Sequence, residues 1–503
     1  MVSDIFDISN FPFDLTQLPQ PAYIVGGWVR DRLLGRKAAY LDLDFVMAAQ
    51  AVETARKIAK QHSAGFVVLD ADRQIARVVF KTATVDFAQQ MGDSLTADLR
   101  RRDYTMNAIA VDCQRLIELN QHRFRDQQNI SLSQGQDTVN QFEADSPELN
   151  IINEANHDGK IINGDDRDLG ASEDDRLEHC LNDPELAKLL IDPLSGSNDL
   201  TQKIVRMVAP ANLIDDPLRI LRAYRQVAQL NFSIEPKTRA CLVELAAQPK
   251  VAGKKTSLGS IAAERIRTEL VYLLNAPGGS DWFGLAVEDG ILRDWLPTQH
   301  LRPERLAKIT PTLEKLCQTW PELTAYFEQV LAGDRPRTIA TKLAALTNSA
   351  TALEPLGFSK AEQKFYTMLL RYLPPMVENL SQPIANISAQ EQYHLFQATG
   401  DAFPAVIALT LAHRADFNQN LDTNLKQATP WLERWLAPAD PIAHPVNLLS
   451  GNDLIKALNL PASPQIGELL TAIKLAQVEG IVQNYAGAIA YAKKLVIMKN
   501  SGQ

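Results

Sequence analysis

Residues 21–119 alternate short apolar runs with amphipathic stretches. The runs AYIV, LDLDFVM, GFVVLD, IARVVF and ATVDFA have the length and β-branched content of strands. Helical spacing appears in WVRDRLLG, near residues 50–62, and in a segment that begins at Asp103. This pattern predicts a compact unit of strands and helices built on a small mixed sheet.

From about residue 199 the apolar spacing becomes helical and stays so to the end, with Pro- and Gly-rich breaks at 275–282 and 436–447. The predicted fold class is therefore α+β, with an N-terminal sheet-containing head followed by an all-helical remainder. The predicted segments are 1–120, 121–188, 189–275, 276–436 and 437–503.

Segment 121–188 differs from the rest in composition. It holds 16 acidic and 6 basic residues, is rich in Asn, Gln, Ser and Gly, and has few aromatic residues. So little apolar surface cannot offset chain entropy, which predicts a largely disordered insertion rather than a domain. One interpretation is a surface loop that the fold tolerates, and the other is an acidic segment that attracts a basic partner.

Composition limits the class of protein. With 503 residues, 46% of them hydrophobic, the chain can bury several cores. It has no apolar run of 18 residues and an acidic N-terminus, which predicts no membrane insertion or export and a cytoplasmic location. The 4 cysteines form no C-x-x-C pair, so neither a zinc cage nor a disulfide framework is expected. The net charge of −9 comes from segment 121–188, so basic patches for a nucleic acid remain open elsewhere.

The stretch LDLDFV places two acids on a strand with apolar neighbours. Alternate side chains share a face, so Asp42 and Asp44 point the same way, about 7 Å apart. Two ionised carboxylates repel each other, and the hard cation that suits oxygen ligands is Mg²⁺. The alternative is a solvent-facing pair at an edge.

The stretch YIVGGWVRD joins a strand to a helix through Gly26 and Gly27. Glycines permit close backbone approach, and the N–H groups at a helix start can meet a phosphate. Arg30, one turn into the helix, adds a charged fork for the same anion. Taken alone, the two glycines are also consistent with an ordinary tight turn.

Two further stretches add polar groups. Asp86 in TVDFA is predicted as a third carboxylate that completes a two-metal cage, with a strand-end acid as the alternative. In LRRRDYTMNAIA, Asp103 and Asn107 are predicted on one helix face, with Arg102 for phosphate and Asp103 for a ribose hydroxyl. A solvated charge run is the alternative for this second stretch.

In DDPLRILRAYRQ, Asp216 is predicted to cap a helix whose first turn contains Pro217. Three arginines then recur every third residue along one side: Arg219, Arg222 and Arg225. Like charges on one stripe repel, which favours an anion-binding or base-reading surface over solvated arginines.

In this order, the motifs GG-x-VRD, D-x-D, RRD-x-x-x-NA and D-D-P-x-R-x-x-R-A-x-R resemble the class II tRNA nucleotidyltransferases, the CCA-adding enzymes, and their poly(A) polymerase relatives. The resemblance implies a polymerase-β-like head, a helical neck within 189–275, a body, and a tRNA-binding tail at 437–503. It also implies Mg²⁺-dependent addition of C and/or A from CTP and ATP to the tRNA 3′ end without a nucleic-acid template. Oligomeric state is left open.

The same resemblance implies roles for single residues. Asp42 and Asp44 hold Mg²⁺ and are catalytic with Asp86, while Asp216 and Arg219 read the base edge. The remaining nucleotide-binding residues are Gly26, Gly27, Arg30, Arg102, Asp103, Asn107, Arg222 and Arg225.

Two departures from the family pattern bear on the product. Asp215 stands where the base-reading motif usually has Glu. After Asp86 the chain has only the short link FAQQMGDSLTA, where many full CCA-adding members carry a longer flexible loop associated with the final A. CC-adding, A-adding and full CCA-adding activity therefore all remain open. The rivals are a poly(A) polymerase and an RNA-binding protein without catalysis.

Overall fold

The computed structural model describes residues 5–121, 181, 183–248, 258–332, 335–414 and 420–501. The chain divides into two compact units, Met1–Ser260 and Ile261–Gln503. The predicted segment 189–275 spans this division.

The first unit is built on a seven-stranded mixed sheet with the strand order β3-β4-β5-β2-β1-β6-β7. Neighbouring strands are antiparallel except β2 and β5, which run parallel. The strands are β1 Ala22–Val25, β2 Leu41–Met47, β3 Gly65–Asp70, β4 Ile75–Val79, β5 Ala83–Gln89, β6 Ala110–Asp112 and β7 Leu190–Ile191.

Helices surround this sheet and follow it. They are α1 Gly27–Leu33, α2 Ala51–Gln61, α3 Leu95–Leu99, α4 Pro184–Leu189, α5 Gly196–Thr201, α6 Pro210–Asp215, α7 Leu218–Leu230 and α8 Pro236–Ala247. Residues 113–121 are also helical. A short parallel pair, β8 Ile204–Val205 and β9 Ser233–Ile234, flanks α7.

The alternation in β2 separates a buried face from the face that carries the acids. Leu43 and Phe45 are fully buried, and the Phe45 ring stacks on Phe87 of β5 with 5.8 Å between centroids. On the opposite face Val46 is packed in a cluster with Leu95 and Leu99 of α3. Helix α3 therefore covers the far end of this face.

The predicted helix from Asp103 is wrong. Residues Thr105–Asn107 form a single 3₁₀ turn, and Ala110–Asp112 enter the sheet as β6. The Thr105 N–H donates to the carbonyl of Arg206, and β6 pairs with β1. Pairing with distant backbone thus overrides the local helical spacing.

The predicted insertion, 121–188, lies mostly outside the described residues. At its end, helix α4 begins with Pro184, and the Asp183 side chain accepts from the Glu185 N–H as its cap. Regular structure therefore begins before residue 189, the position at which the sequence pattern predicted it to resume.

The second unit is mainly helical, and its described residues also include a short hairpin that the helical prediction missed. The hairpin is β10 Val330–Ala332 with β11 Arg335–Pro336. The helices are α9 Ala263–Asn275, α10 Gly279–Glu288, α11 Leu306–Thr319, α12 Glu322–Glu328, α13 Arg337–Ala345, α14 Lys360–Asn379, α15 Ala389–Thr399, α16 Phe403–Arg414, α17 Leu421–Leu436, α18 Gly451–Leu458, α19 Pro464–Val478 and α20 Tyr485–Ser501.

One stretch of the second unit, Ala389–Arg414, is long and apolar enough to cross a membrane. Its most apolar window is 78% buried inside the protein. Phe396 and Phe403 of this stretch pack on Trp431, which is fully buried. These contacts are those of a core helix in a helical domain.

Candidate active site

Three carboxylates lie on one face of the sheet. Asp42 and Asp44 alternate along β2, and the parallel register places Asp86 of β5 directly opposite Asp44. Directly opposed residues in neighbouring strands have their side chains on the same face, about 5 Å apart. The sheet therefore brings together the three acids that the sequence singled out.

Gly26 brings the backbone close to this acidic cluster. It has φ +79°, a conformation that favours glycine, and a Cβ here would lie 3.2 Å from Asp44 Oδ2 and 3.2 Å from Arg102 Nη1. Gly26 therefore fills the space between a carboxylate and a guanidinium, where any side chain would intrude. Gly27 follows as the first residue of α1, facing Arg30.

The surroundings of Asp44 disfavour its charge. Burial raises its pKa to about 6, and the charges of Asp42 and Asp86 push in the same direction while Arg102 and Arg222 oppose them. Burial and Asp86 also raise the pKa of Asp42. A carboxylate cluster of this kind gains stability from an added cation.

The number of ligating side chains at this face limits the kind of metal ion that the site can bind. Among the residues that the structure describes, no group of three or more acidic, histidine or cysteine side chains is placed to hold a metal ion. Two carboxylates, Asp42 and Asp44, share one strand face. Mg²⁺ is commonly bound by one or two carboxylates together with substrate phosphates. The residues therefore fit a hard divalent cation that completes its coordination with oxygen ligands from outside the protein.

A hydrogen-bonded chain connects α1 to α7 beside the carboxylates. Arg30 Nη1 donates to Asn107 Oδ1 at 2.8 Å, and Asn107 Nδ2 donates to Asp103 Oδ1 at 3.0 Å. Asp103 Oδ2 pairs with Arg222 Nη2 at 3.0 Å. Asn107 Nδ2 also donates to Gln226 Oε1 at 3.2 Å. The structure thus joins Arg30, Asn107, Asp103 and Arg222 into one network.

The base-reading candidates are held by backbone groups. Arg219 Nη1 donates to the carbonyls of Arg101 at 3.0 Å and Asn212 at 2.8 Å. Asp216 Oδ1 accepts from the Leu218 N–H at 3.2 Å, but α7 begins at Leu218 with Pro217 as its N-cap, so the predicted cap at Asp216 lies one residue too early. Arg225 Nη1 donates to Gln229 Oε1, and its charge lowers the pKa of Asp42. Arg222 and Arg225 therefore act electrostatically on the carboxylate cluster.

Sequence reasoning missed three polar residues that build this site. Arg77 pairs with Asp86, Gln226 accepts from Asn107, and Asn212 Nδ2 donates to the carbonyls of Arg100 and Arg102. In each case the partner is distant in sequence or lies on a neighbouring strand. No local motif marks such pairs, although a glutamine on the apolar side of α7 was a signal for Gln226.

Asp103 is expected to stabilise the fold as well as the site. Burial alone would raise its pKa, but Arg222, the Asn107 amide and the Tyr104 N–H outweigh burial and lower it to about 2. A lowered carboxylate pKa stabilises the folded state above the unfolded pKa and ceases to do so as the pH falls towards 2. We expect Asp103→Asn to lower the free energy of unfolding at pH 7 by about 2 kcal/mol, measured by urea titration.

The matched control for this prediction is Asp70→Asn, which neutralises a half-buried carboxylate of the same unit. The Asp103→Asn deficit should stay constant from pH 8 to about pH 5 and shrink below about pH 4. A deficit that is absent at pH 7, or that grows as the pH falls, would contradict the pairing argument.

Comparisons with known proteins identify the family of this chain. The family model described as Poly A polymerase head domain matches residues 22–128, and a model of tRNA nucleotidyltransferase domain 2 matches 339–492. A CC-adding tRNA nucleotidyltransferase of Synechocystis sp. is 35% identical over 98% of this chain and 98% of its own. Another, of Geobacter sulfurreducens, is 27% identical over 94% and 91%.

Other relatives and a solved structure extend the comparison. Relatives named A-adding tRNA nucleotidyltransferase and CCA-adding enzyme also match, at lower identity than the Synechocystis protein. The Thermotoga maritima CCA-adding enzyme, solved with tRNA, has a TM-score of 0.58 at 18% identity, covering 95% of this chain and 91% of its own. The chain belongs to the tRNA nucleotidyltransferase family, enzymes that share a poly(A) polymerase-type head.

Proposed function

We propose that this enzyme is a CC-adding tRNA nucleotidyltransferase. It transfers two successive CMP units from CTP to the 3′ end of tRNA, depends on Mg²⁺, uses no nucleic-acid template, and leaves the terminal A to another enzyme. It works in the cytoplasm, where tRNA and CTP meet.

The observation that carries this proposal is the short, fixed connection between β5 and α3. The Gln90 N–H donates to the Met47 carbonyl at 2.8 Å, and the Met91 N–H donates to Asp98 Oδ1 at 2.9 Å. Ser94 then caps α3. This connection leaves no length for the flexible loop associated with A addition in full CCA-adding enzymes. The CC-adding names of the Synechocystis and Geobacter relatives support the same conclusion.

The reaction is an attack of the tRNA 3′ hydroxyl on the α-phosphorus of CTP. A new O–P bond forms, the bond from the α-phosphorus to the bridging oxygen breaks, and pyrophosphate leaves. Asp42 and Asp44 would hold Mg²⁺, which when bound activates the hydroxyl and neutralises triphosphate charge. Arg30 and Arg102 bind the triphosphate, and Gly26 gives the phosphates access to the backbone.

Base selection belongs to the arginine stripe of α7. We assign the base edge to Asp216, an acceptor, and Arg219, a donor, with Asp103 and Asn107 positioning the nucleotide. Arg222 and Arg225 complete the site. A wrong base leaves these groups without partners, and each unmatched buried group costs about 1–3 kcal/mol.

The deciding experiment offers labelled CTP and ATP to three tRNAs, ending before the first C, after CC, and after the complete CCA. We expect CTP to extend the first tRNA by two residues and ATP to extend none. Addition of A after CC would establish a full CCA-adding or A-adding enzyme. Long A tails would establish a poly(A) polymerase, and no incorporation would favour an RNA-binding protein without catalysis.

A further inference from the structure

Arg77 of β4 extends the row of charged side chains that crosses the sheet. The antiparallel register of β4 and β5 places Arg77 opposite Asp86, and the parallel register of β5 and β2 places Asp86 opposite Asp44. One arginine and two aspartates therefore lie side by side on the face that carries the active site.

The contact between Arg77 and Asp86 occupies both carboxylate oxygens. Arg77 Nε lies 2.7 Å from Asp86 Oδ1, and Arg77 Nη2 lies 2.8 Å from Asp86 Oδ2. Two parallel hydrogen bonds of this kind fix the orientation of a carboxylate as well as its position. Both Asp86 oxygens are therefore bonded to a residue of β4, which lies on the opposite side of β5 from β2 and Asp44.

Burial makes this pair more than a surface ion pair. The Asp86 side chain is 19% exposed and that of Arg77 is 41% exposed. Asp86 lies next to Asp42 and Asp44 and raises the pKa of each, whereas Arg77 lowers the pKa of Asp42. Arg77 thus offsets negative charge of the three-carboxylate cluster while its guanidinium is hydrogen-bonded to Asp86.

We propose that Arg77 holds Asp86 out of the metal coordination sphere, so that the nucleotide-free enzyme offers the divalent cation two carboxylates rather than three. This inference rests on the proposed magnesium site and revises the expected role of Asp86 from ligand to positioning residue. With only Asp42 and Asp44 as protein ligands, tight metal binding requires the phosphate oxygens of CTP. Arg77 thereby couples metal binding to nucleotide binding.

The test measures Mn²⁺ affinity of the full-length enzyme by electron paramagnetic resonance of free Mn²⁺, first without nucleotide and then with CTP. Arg77→Gln should tighten Mn²⁺ binding without nucleotide by about tenfold, because it releases Asp86 and removes a nearby positive charge. Arg77→Lys keeps the positive charge but cannot form two parallel hydrogen bonds to Asp86, so it should tighten Mn²⁺ binding by a smaller factor.

Asp86→Asn separates a ligand from a positioning residue. With Arg77 present, this change should weaken Mn²⁺ binding only about threefold, through the loss of one neighbouring negative charge, and far less than Asp44→Asn does. In the Arg77→Gln background it should reverse the tightening. Thermal melting checks that each variant is folded, and Arg77→Lys carries the test if Arg77→Gln does not fold.

Two results would overturn the inference: an Asp86→Asn enzyme that loses Mn²⁺ affinity as Asp44→Asn does, or an Arg77→Gln enzyme with unchanged affinity. Failure of the proposed metal site gives a different result. In that case Asp44→Asn itself would leave Mn²⁺ binding unchanged, with and without CTP.

Discussion

Replacing Asp44 with asparagine is expected to lower CMP incorporation into tRNA at least about 10³-fold. Asp44 is one of two carboxylates available to a cation on β2, and it adjoins both Gly26 and the side chain of Arg102. Asparagine keeps the shape of the side chain but removes the charge that we propose binds the metal ion. Single-turnover incorporation of labelled CMP into a tRNA ending before the first C measures the effect.

The controls separate chemistry from folding and from RNA binding. Glu53→Gln makes the same chemical change at an exposed position of α2 and should leave incorporation unchanged. Asp44→Asn should still bind tRNA in a mobility-shift assay, because in the proposed function the carboxylates act only at the 3′ end of the tRNA. Loss of tRNA binding together with incorporation would show instead that Asp44 is structural.

The parts of the site that the sequence predicted correctly depend on short-range periodicity. Alternation in LDLDFV places Asp42 and Asp44 on one face, opposite the buried Leu43 and Phe45. This follows from the twofold repeat of a strand and needs no knowledge of its neighbours. The stripe of arginines on α7 follows in the same way from the helical repeat.

The parts that it missed depend on long-range pairing. Asp103 to Asn107 looked helical because four-residue spacing is a helical signal, yet the backbone there pairs with Arg206, far along the chain. The Asn107–Asp103 hydrogen bond nevertheless forms, because a 3₁₀ turn also brings these side chains together. The polar spacing was informative while the element assigned to it was wrong.

Arg77 shows the same limit more strongly. In IARVVF it is one polar residue in an apolar strand, which by itself indicates only a solvent-facing position. Its relation to Asp86 depends on the register of β4 against β5, and its relation to Asp44 depends on the register of β5 against β2. Both strand pairings must therefore be known before a role can be inferred for the Arg77 side chain.

Removing the guanidinium of Arg219 is expected to reduce the preference for CTP over UTP by about 100-fold, measured as the ratio of kcat/KM values. Two hydrogen bonds to the carbonyls of Arg101 and Asn212 fix the Arg219 side chain. The Arg219 side chain is therefore already ordered before the base binds. Such preorganised groups discriminate more strongly between bases, because less side-chain entropy is lost on binding. In Arg219→Ala these contacts vanish together with the donor.

Arg73→Ala is the matched control for this change, because Arg73 is an arginine of the same unit whose side chain is 58% exposed and whose Nε lies 3.8 Å from Asp70 Oδ2. It should leave the CTP-to-UTP ratio unaltered. Arg219→Ala should also keep most of its total nucleotide incorporation, because Asp42 and Asp44 remain in place and the loss falls on base choice. If instead the ratio stayed constant while incorporation fell, Arg219 would be supporting the backbone near Arg102 rather than reading the base.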